Sequence, residues 1–139
     1  MRKLPGLLLI VGIMAAASCK DDDPKFTSAE GDWTYTTPDG KIGIDFTLVK
    51  NGSTWSVTNE SITVDGQKGN AAVQYDNINP PTIGSIRINA NDTKLTYPYY
   101  ISFSGTVSDD FSEIKGPGAT YTWPYDKTNN LTDVTITRK

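Results

Sequence analysis

The sequence contains no histidine and only one cysteine. The lack of histidine excludes a Ser-His-Asp triad, a histidine general base and the commonest zinc ligand. A single cysteine cannot form an intramolecular disulfide, so the fold must depend on a packed core. No glycine-rich phosphate loop stands between a strand and a helix. These absences predict a protein that is not an enzyme, with no catalytic residues, no metal site and no cofactor.

Positive charge is also scarce. There are 13 Lys and Arg residues against 16 Asp and Glu residues, for a formal net charge of −3. That balance argues against a nucleic-acid partner, because nucleic-acid binding requires a basic face. It argues equally against electrostatic adsorption to a membrane surface.

The one long apolar run lies at the N terminus. It extends for 14 residues from Leu4 to Ala17 and follows the basic residues Arg2 and Lys3. A helix that spans a bilayer needs about 20 apolar residues, so this run is too short for one. The basic start and the short apolar core predict that residues 1–18 are a signal peptide.

The cysteine directly follows the small residues Ala16, Ala17 and Ser18. This junction resembles the lipobox of bacterial lipoproteins, although Ala16 stands where Leu is usual. The resemblance implies that Cys19 is lipidated, that it anchors the mature protein to the outer membrane, and that residues 19–30 are a polar tether. Two or more acyl chains give stable anchoring. The alternative is an ordinary secreted protein with a chance cysteine.

An acidic tract follows the cysteine, with the sequence Lys20-Asp21-Asp22-Asp23. It resembles the acidic tract of surface-exposed lipoproteins in the Bacteroidota group, and this resemblance implies exposure at the cell surface. A solvated, charged tether that keeps the domain off the membrane explains the tract equally well.

From residue 31 the chain consists of short alternating runs separated by turn dipeptides. Ile42, Ile44, Phe46 and Leu48 fall on one face of a period-2 pattern, and the hairpin signal Asn51-Gly52 follows. About nine or ten such strands recur at intervals of 8–12 residues, without a helical period. The pattern predicts one all-β domain over residues 31–139. Short connections favour an antiparallel meander, and closure into a small barrel would remove its edges; a two-sheet β-sandwich is the alternative.

Three features resemble the small lipocalin-like domains of bacterial lipoproteins. They are the opening Gly31-Asp32-Trp33, the Asp39-Gly40 hairpin, and late glycine-containing strands that end in Thr137-Arg138. The resemblance implies a lipocalin-like barrel whose first-strand tryptophan closes the bottom of the core. It also implies a cavity for a small apolar ligand.

Aromatic side chains are the candidate ligand-binding residues: Tyr99, Tyr100, Tyr121, Trp123 and Tyr125. Large rings fill a small core efficiently, but they also stack on sugars and line apolar pockets. Tyr99 and Tyr100 should point to opposite faces of a strand, so at least one should lie outside the core. Tyr100 is the best single candidate for a contact with a ligand.

Two functions are compatible with these residues. The first is a non-catalytic binding module for a small apolar ligand or a glycan, which a central cavity lined by aromatic rings would favour. The rings expected there are Trp33, Phe46, Trp55, Phe103 and Trp123. The alternative is a structural or interaction lipoprotein that binds another envelope protein, which a filled core with an exposed apolar patch would favour.

Overall fold

The computed structural model describes residues 26–90, 99–122 and 129–139. These ranges contain nine strands: β1 Gly31–Thr36, β2 Ile42–Asn51, β3 Thr54–Val64, β4 Gln67–Gly69, β5 Ala71–Asn79, β6 Thr82–Ala90, β7 Tyr99–Val107, β8 Glu113–Thr122 and β9 Asn129–Arg138. No helix in this part of the chain has the length and hydropathy that crossing a membrane requires. Cys19, Trp123 and Tyr125 lie outside the described residues.

The strands form one antiparallel sheet in the order β4-β3-β2-β1-β9-β8-β7-β6-β5. Only Asn70 separates β4 from β5, so residues 67–79 behave as one strand. Its start pairs with β3, and its longer remainder pairs with β6. Eight positions around a barrel are thus visited in chain order, and β9 returns to pair with β1. The predicted lipocalin-like meander barrel is confirmed, and the sandwich alternative is wrong.

The barrel is nearly closed, with a seam between β3 and β5. These strands lie side by side, but the sheet order has no ladder between them. Each carries an asparagine in the left-handed region, Asn59 with φ 52° and Asn77 with φ 52°. Tyr75 is 43% exposed because it lies beside this seam. Bulges and twisted backbone of this kind protect a sheet edge from pairing with another chain.

The interior of the barrel is filled by the alternating apolar residues that the sequence predicts. Ile42, Ile44, Phe46 and Leu48 are all buried. Phe46 of β2 meets Phe103 of β7 across the barrel, with ring centroids 5.6 Å apart. An eight-stranded barrel has an interior just wide enough for side chains to fill it or for one small ligand. Around Phe46 and Phe103, the side chains fill the interior.

One end of the barrel, called the closed end below, is covered by residues 26–30. Trp33 of β1 is fully buried there, and its Nε1 donates a hydrogen bond to the carbonyl of Ala29 at 3.1 Å. The Arg138 guanidinium lies 5.2 Å from the Trp33 ring centroid and 4.7 Å from that of Phe26. It also donates to the Ser28 carbonyl at 3.3 Å. The first-strand tryptophan therefore closes the bottom of the core, as the lipocalin resemblance implied.

The glycine two residues before this tryptophan is required for two reasons. Gly31 has a φ of +123°, a conformation that other residues rarely adopt. A Cβ added there would also run into the Arg138 guanidinium. The Gly-x-Trp spacing thus lets the arginine cover the indole.

Pro117 and Gly118 do not interrupt the eighth strand. Both residues lie inside β8, where the register with β9 shifts between Gly116 and Gly118. A proline is tolerated at such an irregularity because the ladder needs no donor there. A Cβ on Gly116 would collide with the Ser104 carbonyl of β7, so glycine permits the two strands to approach closely.

Candidate functional site

The end of the barrel opposite Trp33, called the mouth below, is formed by turns and strand termini. The β1–β2 turn at residues 37–41 and the β3–β4 turn at residues 65–66 lie there. The start of β7, the end of β8 and the start of β9 complete it. In an up-and-down barrel these positions meet at one end because successive strands alternate in direction.

A cavity of about 570 Å³ opens at the mouth. Its apolar wall comes from Ile42, Val64, Tyr99 and Leu131. Further residues complete the wall and the rim: Thr37, Pro38, Asp39, Lys41, Asp65, Thr120 and Asn129. Pockets of 300–1,000 Å³ with mostly apolar walls and a few polar groups are typical of small-molecule sites.

The β1–β2 turn holds its side of the rim rigidly. Thr37 Oγ1 donates to Asp39 Oδ1 at 2.6 Å, and the Lys41 amide donates to the same oxygen at 3.0 Å. These two hydrogen bonds lower the pKa of Asp39, which is therefore ionised at neutral pH. The Ile42 amide donates to Thr37 Oγ1 at 3.0 Å. Tyr35 lies just inside the mouth, where burial raises the pKa of its hydroxyl and the negative charge of Asp39 raises it further.

Thr120 is the second polar side chain at depth in the mouth. Thr37 and Thr120 are the buried polar residues of the described chain, and both line the cavity. The Thr37 hydroxyl already has partners in its own turn. Thr120 is 7% exposed, and its hydroxyl makes no hydrogen bond within the described ranges; because no fully buried polar side-chain atom there lacks a partner, this hydroxyl is reached by water. Its hydroxyl is therefore available to a molecule in the cavity.

The structure separates the candidate tyrosines into two groups. Tyr99 is half-buried and lines the cavity. Tyr100 and Tyr121 stack on the outer face of the barrel, with ring centroids 4.5 Å apart and planes at 11°. Because Arg87 of β6 lies 5.3 Å from the Tyr100 centroid on the opposite side, both faces of Tyr100 are covered. In this outer pair, one face of the Tyr121 ring contacts Tyr100, and the other face points away from it. Trp123 and Tyr125 fall outside the described residues.

Several cavity residues were missed by sequence reasoning. Ile42 was expected to be an ordinary inward-facing residue, and Val64, Leu131 and Thr120 were not singled out. Their alternation is the same as that of residues deep in the barrel. The available signal was position: Val64 directly precedes the Asp65-Gly66 turn, and Ile42 follows the turn at residues 37–41.

The described aromatic rings expected to line a central cavity do not do so, and Trp123 lies outside the described residues. Trp33, Phe46 and Phe103 are packed core residues below the mouth. Trp55 is half-buried near the closed end, with Lys50 Nζ 5.7 Å from its ring centroid. The rings fill the barrel instead of surrounding a space, so the cavity is confined to the mouth.

Two other grooves differ from the mouth in character. A groove of about 590 Å³ lies on the outer wall, but two of the three carboxylates that line it, Asp32 and Asp45, already have partners. Lys139 pairs with Asp45 at 2.6 Å, and Thr47 donates to Asp32 at 2.6 Å. A groove of about 450 Å³ lies at the closed end. Its apolar side chains are those of Ala29, Trp55, Pro80, Pro81, Val107 and Phe111.

The mouth offers chemistry for binding. Its ionisable side chains among the described residues are Asp39, Lys41, Asp65 and Tyr99. No group of three or more acidic or cysteine side chains in the described ranges is placed to hold a metal ion. Comparison with protein-family models, curated proteins and solved structures finds no match for this chain.

Proposed function

We propose that this protein is a lipid-anchored, non-catalytic binding module of the outer membrane that takes a small apolar ligand in the mouth of its barrel. The observation that carries the proposal is the cavity of about 570 Å³ bounded by Ile42, Val64, Tyr99 and Leu131. Apolar surface of this kind is costly to leave in water, at roughly 25 cal/mol per Å², so covering it by a ligand is favourable.

The anchor rests on the sequence around Cys19. Its support is the short apolar run, the small residues before the cysteine and the acidic tract after it. The described chain begins at Phe26, which packs on Arg138 at the closed end. A tether from Cys19 would thus attach opposite the mouth and leave the cavity facing away from the membrane.

A glycan is less well supported than an apolar ligand. Sugar recognition commonly uses an open aromatic face, and both faces of Tyr100 are covered. The Tyr99 ring lies inside an apolar cavity, where a polar sugar would lose hydrogen bonds to water. These contacts favour the apolar ligand.

The second candidate function is an interaction lipoprotein that binds another envelope protein. It is favoured by the apolar groove at the closed end, where Trp55 and Phe111 are only partly buried, and by the exposed ring of Tyr75. Contiguous exposed apolar surface of this kind marks interaction sites in soluble domains. The filled core of the barrel is compatible with this function as well.

Lipidation is tested by expressing the full chain in bacteria fed radiolabelled palmitate. We expect label in the wild type and in Ser18→Ala, which keeps a small residue before the cysteine. We expect none in Cys19→Ala. Label that persists in Cys19→Ala, or an unlabelled wild type, would disprove the anchor.

Ligand binding is tested by calorimetry with naphthalene-based probes and two variants that introduce the same residue. Leu131→Trp places a large ring in the cavity from the half-buried wall of the mouth, whereas Tyr75→Trp replaces an exposed ring at the seam with a larger one. We expect Leu131→Trp to weaken binding at least about 10-fold, because the cavity volume is lost. Tyr75→Trp should bind as the wild type does. Equal effects of the two variants would place the ligand elsewhere.

A further inference from the structure

We propose that the mouth selects compact apolar ligands that carry a positive charge at their outer end and a hydrogen-bond acceptor at their inner end. The inference rests on the proposed function, because it concerns the same cavity. It adds the size, the sign of charge and the polar contact of the molecule that the cavity accepts.

The size follows from the floor of the cavity. Phe46 and Phe103 close the barrel interior below the mouth, with ring centroids 5.6 Å apart. Protein cores of this kind are packed to the density of organic crystals, so a long chain has no path between the rings. The space of about 570 Å³ therefore suits one or two fused rings or a short branched group.

The sign of charge follows from the rim. Asp39 and Asp65 lie there with one basic residue, Lys41, so the described rim has a net negative charge. A charge held over an apolar cavity is screened less than one in open water. A cationic end group would be attracted and an anionic one repelled.

The inner polar contact is Thr120. The residue is more than nine-tenths buried and lines the cavity, and its hydroxyl makes no hydrogen bond within the described ranges. Because no fully buried polar side-chain atom of the described residues lacks a partner, this hydroxyl is reached by water, and a ligand atom that accepts its proton would replace that water. The neighbouring wall is apolar, so this single contact should orient the ligand.

The charge preference is tested with three probes that share a naphthalene ring and carry an aminomethyl, a hydroxymethyl or a carboxylate group. The protein is purified as the cell matures it and held in phosphatidylcholine vesicles, and protein-free vesicles give the baseline. Calorimetry should show the aminomethyl probe binding about 5- to 20-fold more tightly than the carboxylate, with the alcohol between them.

Two variants that each remove one negative charge distinguish the effect of a charge at the rim from the effect of the protein's net charge. Asp65 has a φ of 48°, a conformation that asparagine also adopts readily, so Asp65→Asn should leave the turn intact. We expect it to reduce the preference for the cation about 2- to 4-fold. Asp109→Asn changes an exposed carboxylate at the closed end, several screening lengths away, and should leave the preference unchanged.

The inner contact is tested with the quinoline analogue of the aminomethyl probe, in which a ring nitrogen replaces one CH group. The wild type should bind the quinoline about 2- to 10-fold more tightly than the naphthalene, as one hydrogen bond allows. Thr120→Val should lose that difference and keep its affinity for the naphthalene probe.

The possible failures are distinguishable. If no probe binds above the protein-free vesicles, the proposed function itself is wrong. If all three probes bind, Leu131→Trp blocks them and the carboxylate binds as tightly as the amine, the proposed function stands and the charge preference is wrong. If the quinoline gains nothing in the wild type, the role of Thr120 is wrong.

Discussion

The stack of Arg138 between Phe26 and Trp33 should be a principal source of stability at the closed end of the barrel. Replacing Arg138 by alanine removes a guanidinium that contacts two rings and donates to the Ser28 carbonyl at 3.3 Å. It also exposes one face of an indole that is otherwise fully buried. We therefore expect Arg138→Ala to destabilise the barrel and to release residues 26–30 from it.

The magnitude follows from the separate contacts. Each cation–π contact is worth about 0.5–2 kcal/mol, according to how far it is removed from water. A hydrogen bond from a charged donor adds about 1.5–3 kcal/mol when buried and less here, because Arg138 is only half-buried. Allowing for that exposure, we expect a loss of about 2–4 kcal/mol from a total stability of about 5–15 kcal/mol. Arg138→Lys should lose about half as much, since an ammonium keeps the charge but cannot stack as a plane.

The assay is urea unfolding followed by tryptophan fluorescence, with the slope of the transition checked for each variant. The matched control is Lys115→Ala, which removes a basic residue from an exposed ion pair with Glu113 at 2.6 Å. Exposed pairs contribute about 0–1 kcal/mol, so this variant should unfold close to the wild type. If Arg138→Ala cost no more than Lys115→Ala, the stack would be only a surface contact and the reasoning would fail.

Three further outcomes are expected. Gly31→Ala should cost about 1–3 kcal/mol more than Gly52→Ala in urea unfolding, because the φ of +123° at Gly31 is nearly confined to glycine, whereas the φ of +63° at Gly52 lies in the left-handed helical region; the added Cβ at position 31 must also displace Arg138. Hydrogen bonds within its turn lower the pKa of Asp110 to about 2. The ionised carboxylate therefore stabilises the fold above pH 3.8, and this stabilisation is lost as the pH falls toward 2. The difference in unfolding free energy between the wild type and Asp110→Asn should disappear across that interval. Tyr100→Leu should cost about 0.5–1.5 kcal/mol through the lost stack and leave probe binding in the mouth unchanged, which calorimetry would check.

Much of the barrel could be predicted from local pattern. The alternation over Ile42–Leu48 and the Asn51-Gly52 turn specify a hairpin whatever the rest of the chain does, because both depend on neighbouring residues alone. The seam could not be predicted in this way. Tyr75 continues the alternation of its strand, and its exposure depends on β3 not pairing with β5 at that point.

The candidate site was harder to predict than the fold for a similar reason. An inward-facing residue near a turn and one at mid-barrel have the same sequence pattern, so Val64 and Ile44 look alike in the sequence. Whether such a residue packs or lines a cavity depends on what stands across the barrel. At mid-barrel, the large side chains of Phe46 and Phe103 contact each other and fill the interior. At the mouth, Tyr99 points inward, but Tyr100 and Tyr121 lie on the outer face of the barrel and leave the interior unfilled.

The two ends of the barrel therefore have different physical constraints. At the closed end, Trp33, Arg138 and residues 26–30 cover the core, and the chain leaves toward its N terminus from this cover. The residues between Cys19 and Phe26 can extend at most about 25 Å, whereas strands of nine or ten residues span about 30 Å. A lipid at Cys19 would hold the closed end near the bilayer and keep the mouth toward water. An apolar cavity held in that position would receive its ligand from the aqueous side, which favours molecules soluble enough to reach it over those that stay in the membrane.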